Sequence, residues 1–208
     1  MKVSIVVIFD KLREEKLIRL LASIKPQMQN NNCEVLLVQE SDVSVTLPKL
    51  PIKVRHITIP EKQGIPFNRN RGINQSKGEV IVFIDDDCWV QEKWLSSLLQ
   101  PMEQNPELLA VTSGTKIPLA NFMGNCISAL GFPGGGSLGF EKMWKVSSKG
   151  FTNHIAAGNC ALRREVFNQV GFFDESLKYG AEDAEFSIRL ERAGISVKYA
   201  PEGYAFHE

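Results

Sequence analysis

The sequence has no excess of either charge. Lys plus Arg and Asp plus Glu each number 24 in 208 residues, for a formal net charge of zero. A balanced chain has no general attraction for nucleic acid or an anionic membrane surface, so no nucleic-acid partner is expected. The four cysteines, Cys33, Cys88, Cys126 and Cys160, form no C-x-x-C pair. That excludes the common zinc and thioredoxin-like signatures and leaves free thiols in a reducing cytosol. No run of about 18 apolar residues occurs, so no spanning helix is expected. The apolar stretch 3–9 is too short for the hydrophobic part of a signal peptide, and no small-residue cleavage site follows it. A cytoplasmic location is the expectation, with association at the cytoplasmic face of a membrane as its extension. Internal repeats and low-complexity segments are also missing, and nothing in the pattern sets an oligomeric state.

What is present is ordinary for a soluble globular chain: 43% apolar and 23% charged residues. The length suits one domain with a substantial core. In the first half, strand and helix patterns alternate. Residues 3–9 read as a strand, and 12–24 as a helix with Leu17, Leu20, Leu21 and Ile24 on one face, stopped by Pro26. Strands follow at 34–38 and 53–59, separated by a polar, proline-punctuated loop at 41–51. Gly64 opens a turn before a helix at 67–76. A strand at 80–84, a helix carrying Trp94, Leu95, Leu98, Leu99 and Met102, and a strand at 108–113 complete the series. Such alternation predicts an α/β fold, a mostly parallel sheet with helices on both faces. Further on, helices are expected at 164–170 and 183–193, and a last strand at 197–200.

The strand at 80–84 ends in Asp85-Asp86-Asp87. An apolar, β-branched run bounded by Gly78 reads as a buried strand. Open α/β sheets bind ligands beyond the carboxyl ends of their strands. Adjacent carboxylates there repel one another and are costly to desolvate, and a hard divalent cation carrying phosphate oxygens relieves both problems. The plainer alternative is a solvated acidic turn capping the next helix.

Four segments then stand in order: Arg69-Asn70-Arg71-Gly72, the Asp85–Asp87 triplet, the run from Gly158 through Asn159, Arg163, Arg164 and Phe167 to Gly171-Phe172-Phe173-Asp174, and Glu182-Asp183 with His207 beyond it. Together they resemble the family 2 glycosyltransferases of GT-A fold, in which an R-N-x-G helix, a D-x-D strand end, a glycine-led segment running into R-R-x-x-F and an E-D pair recur in this order. The likeness covers nearly the whole chain and is firmest from Gly64 to His207. It implies a single GT-A domain, with a nucleotide-sugar-binding half at 1–113 and an acceptor-binding, catalytic half at 114–208.

The resemblance also implies roles. A sugar would move from a nucleotide diphosphate donor, UDP-linked by expectation, to a hydroxyl of a glycan or lipid-linked acceptor. Manganese or magnesium would bridge the diphosphate oxygens. Asp87 is the expected direct metal ligand, Asp85 is expected near the donor ribose or a metal-bound water, and His207 would complete the metal shell. Asp86 would face the sugar. Arg69 would meet the donor phosphates or the acidic cluster, whereas Arg71 reads as a solvated helix residue. Asp183 would be the base, with Glu182 placing the acceptor or the base. A helix start favours an ionised carboxylate, but acidic residues there are also ordinary caps. One base and no evident second nucleophile imply direct displacement with inversion through an oxocarbenium-like transition state.

Two departures stand out. The first strand of the family usually ends in a P-T-Y-N-like run, and here it ends Val7-Ile8-Phe9-Asp10. The second usually ends in a base-reading aspartate pair, and here Glu40 is the nearest substitute with Asp42 second. These changes leave room for a non-catalytic donor-binding or scaffold domain. A nucleotidyltransferase is disfavoured, because no glycine- and basic-rich loop follows the first strand; Lys11, Arg13 and Lys16 fall on a polar helix face instead. The stretch 117–140 holds no charged residue and contains Pro118, Pro133 and Gly134-Gly135-Gly136. A packed loop, an acceptor-facing loop and a membrane-contacting element all fit it, and it would suit a lipid-linked acceptor. Trp89 and Trp144 are candidates either for stacking on a sugar or for the core.

Overall fold

A computed structural model describes residues 1–9, 13–28, 32–40, 49–116, 122, 146–178 and 180–207. The chain begins β1 (Lys2–Phe9), α1 (Glu14–Met28), β2 (Asn32–Glu40), β3 (Arg55–Ile59), α2 (Ile65–Gln75) and β4 (Val80–Ile84). It continues β5 (Cys88–Val90), α3 (Trp94–Gln104), β6 (Ala110–Thr112), β7 (Thr115–Lys116), β8 (Phe151–Thr152), β9 (Asn159–Arg163) and α4 (Glu165–Val170). It closes with α5 (Glu182–Arg192), β10 (Val197–Tyr199), a 3-10 turn (Pro201–Gly203) and β11 (Ala205–His207).

Among the described residues, eight strands form one sheet in the order β3-β2-β1-β4-β9-β6-β10-β8, and β5-β11-β7 form a second. The first four strands are parallel, as the alternation predicts. Beyond β4 the expected strands β6 and β10 keep that direction and pair parallel with each other, but antiparallel strands that the alternation does not mark are interleaved with them. β9 pairs antiparallel with both β4 and β6, and β8 pairs antiparallel with β10. The segment containing Asn159 and Arg163 is therefore a central strand.

Strand side chains alternate between two cores. Val3, Ile5, Val7, Val80, Val82 and Ile84 face Leu17, Leu20 and Leu21 of α1 and Trp94, Leu95 and Leu98 of α3. Val6, Leu36, Val38, Ile81 and Phe83 face Ile73 of α2, Val166 and Phe167 of α4, and Phe186 and Leu190 of α5. Burial on both faces explains why β1 and β4 read as continuous apolar runs. Gly72 is required in α2 because a Cβ there would lie 2.4 Å from Val6 Cγ1.

Pro26 does not stop α1, which runs on to Met28. The Gln27 amide donates to the Ser23 carbonyl at 3.3 Å and to the Gln91 carbonyl at 3.1 Å, and its oxygen accepts the Leu95 N–H at 2.8 Å. These bonds fasten the last turn to the start of α3, so tertiary contacts override the local breaker. No helix among the described residues is long and apolar enough to cross a membrane. Apart from Phe122, the uncharged stretch 117–140 lies outside the described residues, as do Asp42, Cys126 and Trp144.

Candidate active site

The acidic triplet forms the tight turn joining β4 to β5, and the Cys88 N–H donates to the Asp85 carbonyl at 3.2 Å. The helix expected next begins only at Trp94. β5 leaves the large sheet and pairs antiparallel with β11, setting Cys88 opposite His207. This pairing brings the late histidine to the acidic turn. Its Nε2 lies 3.3 Å from Asp87 Oδ1 without the alignment of a hydrogen bond, and that oxygen is buried with no hydrogen-bond partner among the described residues.

β11 is held in place by Asn159, which is fully buried. Its Nδ2 donates to the carbonyls of Gly114 (2.8 Å) and Gly203 (3.0 Å), and its Oδ1 accepts Trp94 Nε1–H at 2.9 Å. One side chain thus joins β9, α3, the approach to β7 and the turn before β11. The two arginines of the same segment bind backbone. Arg164 donates to the carbonyls of Ile73, Ser76 and Gly78 and to Ser76 Oγ, closing the C-terminal end of α2. Arg163 donates to the carbonyls of Leu108 and Met102.

A cleft of about 750 Å³ opens beyond the carboxyl ends of β1, β2 and β4. Asp85, Asp87, His207, Arg69 and Glu40 all line it, with Arg13, Lys62 and Lys178. Asp86, Glu182 and Asp183 are not part of its wall. Asp86 is 2% exposed, and Arg13 bonds it through Nη1 to Oδ1 at 3.0 Å while reaching Asp87 Oδ2 at 2.9 Å. Glu40 has one oxygen committed, since Oε1 accepts the N–H groups of Gln63 (2.7 Å) and Gly64 (2.6 Å). Gly64 has φ 102°, and a Cβ there would strike the Lys178 carbonyl at 2.8 Å. Glycine at this position lets the loop after α4 approach the wall of the cleft.

Arg69 is the hub. It is 5% exposed, forms an ion pair with the equally buried Glu182, and lies 3.6 Å from Asp85 Oδ1. Its neighbours on α2 divide the remaining work. Asn70 donates to the Phe173 carbonyl at 2.8 Å and accepts the Phe173 N–H at 3.0 Å, and Arg71 is exposed as expected. Burial pushes the Asp85 carboxyl above its ordinary value; Arg69 and His207 oppose this, and the charges of Asp87 and Glu182 add to it. The side chain keeps 42% exposure, so the desolvation is that of a concave floor rather than an enclosed core.

Asp183 lies in the first turn of α5, reached through Ala181 at φ 69°, a strained conformation for a residue with a side chain. Its Oδ1 accepts the Ala184 N–H at 2.8 Å, and Oδ2 lies 3.8 Å from His154 Nε2, an ionic approach rather than a formed hydrogen bond. Burial pushes this carboxyl up, but His154, the Ala184 N–H and Arg69 outweigh it, and the net position is below the ordinary value. The described cysteines are poor nucleophile candidates: burial raises Cys33 to about 11, Cys160 to about 12 and Cys88 well above its ordinary value.

Sequence reading missed His154 and the carboxylate contacts of Arg13. The signal for His154 was its place just before the Gly158 segment, in a chain with only three histidines. Trp89 stacks on Phe206 at 3.9 Å, a packing role.

Among the described residues, no three His, Cys, Asp or Glu side chains already form a metal shell. The donor set still fits a hard cation. Asp87 offers an orphaned buried oxygen beside an imidazole nitrogen, and Asp85 shares the same cleft.

Comparison with known proteins places these features in context. The family model described as Glycosyl transferase family 2 matches residues 4–171. The chain is 26% identical over 170 residues to polypeptide N-acetylgalactosaminyltransferase 11 of Xenopus tropicalis, covering 72% of this chain and 27% of that protein. It is 28% identical over 163 residues to a glucosyl-dolichyl phosphate glucuronosyltransferase of Haloferax volcanii, covering 71% and 49%. It therefore spans only about a quarter to a half of these relatives' length. Among solved structures, GalNAc-T7 with UDP, GalNAc and Mn2+ superposes with a TM-score of 0.71 at 17% identity, over all of this chain and 44% of that one. S. aureus TarS 1-349 superposes at 0.66 and 18%, over all of this chain and 60% of that one. At such identities the superpositions establish the fold alone.

Proposed function

The chain belongs to glycosyl transferase family 2 and has the GT-A fold, and from that premise we propose that it transfers a sugar from a UDP-linked donor to an acceptor hydroxyl with inversion. The observation that carries this reading is the meeting of Asp85, Asp87, Arg69 and His207 in one cleft at the carboxyl ends of the parallel strands. Asp87 and His207, with Asp85, would hold manganese or magnesium, as the Mn2+ named for the GalNAc-T7 complex suggests. A divalent cation there supplies charge stabilisation for the departing diphosphate.

The protein's own groups do the rest. Arg69, fixed by Glu182, presents positive charge to the cleft beside Asp85. Asp183, held ionised below the ordinary carboxylate value, takes the proton of the acceptor hydroxyl as that oxygen attacks the anomeric carbon and the nucleoside diphosphate leaves. The Haloferax relative is named for a lipid-linked substrate, and the uncharged stretch 117–140 suits the same class, so a lipid-linked glycan is the first acceptor to test.

The test is calorimetric titration of UDP with and without Mn2+, on the protein and on Asp87→Ala. Binding that requires the metal and is lost in the variant is the expected result. Metal-independent binding that survives Asp87→Ala would overturn the metal assignment. Absence of binding by UDP, GDP and dTDP alike would overturn the donor reading.

A further inference from the structure

We propose that His154 is a positioning residue for Asp183, fixing the carboxylate before an acceptor arrives; this rests on the reading of Asp183 as the base. His154 lies in the link between β8 and β9, with its side chain 12% exposed and Nε2 3.8 Å from Asp183 Oδ2. The same link is fastened to α5 by its next residue. The Ile155 N–H donates to Ser187 Oγ at 3.0 Å, and that hydroxyl donates to the main-chain carbonyl of Asp183 at 2.6 Å. The link is also anchored to β6, since the Ala156 N–H donates to Thr112 Oγ1 at 2.9 Å. One short segment is thus tied to the Asp183 carbonyl through Ser187 and sets the His154 ring 3.8 Å from its carboxylate.

The two carboxylate oxygens are thereby differentiated. Oδ1 accepts the Ala184 N–H, which makes Oδ2 the less engaged oxygen for a proton. Among the described residues, His154 from the β8–β9 link and Arg69 from α2 are the basic side chains that act on the Asp183 carboxylate. Arg69 is already engaged by Glu182 and faces Asp85. The imidazole is therefore the group placed to set the rotation of the carboxylate. Reaction rates fall steeply when a reacting group is misoriented, so the effect should appear in turnover rather than in donor binding.

The test has a substrate-free arm and a kinetic arm. In long-range 1H–15N spectra, the three histidine rings are assigned with His→Gln variants. Asp183→Asn is expected to move the His154 ring signals while leaving those of His56 in place; unmoved His154 signals would overturn the contact whatever the turnover. In the kinetic arm, Mn2+-dependent hydrolysis is followed for UDP-GalNAc, UDP-GlcNAc and UDP-glucose. His154→Ala is expected to lower kcat on the order of tenfold with KM nearly unchanged. His154→Gln, which retains an N–H and guards against simple misfolding, should recover part of the rate. The double variant with Asp183→Asn should be no slower than Asp183→Asn alone. Full kcat in His154→Ala, with Asp183→Asn slow, would overturn the proposal and leave the base reading standing. Full kcat in Asp183→Asn would instead remove the base reading.

Discussion

Gly158 lies so close beneath Asp85 that a methyl group on its Cα would come within 2.1 Å of Asp85 Oδ2. The Gly158 carbonyl also accepts the Asp85 N–H at 3.2 Å. The start of β9 is therefore the floor on which the first aspartate of the acidic turn rests. Gly158→Ala should force that carboxylate to rotate while the chain folds normally, because this glycine needs no left-handed backbone. Calorimetry should show Mn2+-dependent UDP binding weakened on the order of tenfold, about 1.4 kcal/mol. Unchanged binding would show that Asp85 need not hold this orientation.

The Arg69–Glu182 pair is buried, so removing one partner strands the other charge. Arg69→Met or Glu182→Gln alone should cost about 3–5 kcal/mol in urea unfolding. The double variant Arg69→Met with Glu182→Leu should recover most of that stability, since apolar groups of similar volume often replace buried pairs without loss. It should nevertheless fail to bind UDP. Recovery of both stability and binding would show that the pair serves the fold alone.

Arg13 already occupies two carboxylates that a cation would approach. Like charges repel over such distances even near a surface. Arg13→Gln should therefore lower the Kd for Mn2+ several-fold in the absence of nucleotide. A higher Kd would mean that the guanidinium supports the occupied site rather than competing with the ion.

For Asp183 the folded-state carboxyl lies below its ordinary value of 3.8. A depressed acid stabilises the fold above its unfolded value, and that contribution disappears as pH falls through the folded value. Asp183→Asn should thus melt earlier than the parent protein at neutral pH. The difference should close as pH falls below about 4. A constant difference across that range would place the effect in packing, not in charge.

Arg164 makes its contacts to backbone and to Ser76, away from the cleft. Arg164→Lys cannot reproduce that fork and should cost about 2 kcal/mol. UDP binding per folded molecule should be unaffected. Loss of binding at unchanged stability would assign the residue to the donor site.

Local pattern revealed much of this. The run Val80–Ile84 has the strand bounds that its apolar, β-branched composition implies. The apolar spacing from Trp94 to Met102 marks α3, and Gly64 marks the start of α2. Pro26 misled because propensity is outweighed where Gln27 ties the final turn to α3. β9 was hidden because Asn159-Cys160-Ala161-Leu162-Arg163 carries no clear period-two alternation, and its direction is set by its neighbours β4 and β6. β11 is only three residues long, too short for any periodicity to register.

Local pattern carried the α/β class and the delivery of carboxylates to a strand end, while the segments that carry Arg69, Gly158, Glu182, Asp183 and His207 were legible through their resemblance to family 2 glycosyltransferases. The first two follow from short-range sterics and apolar spacing, which act within a few residues. Tertiary structure alone decided which of those groups meet. Arg69 and Glu182 are 113 residues apart and join only because α2 and α5 pack on the same sheet face. His207 reaches Asp87 only because β11 pairs with β5, a register held by the buried Asn159. Contacts of that range depend on the packing of whole layers, which no local pattern encodes.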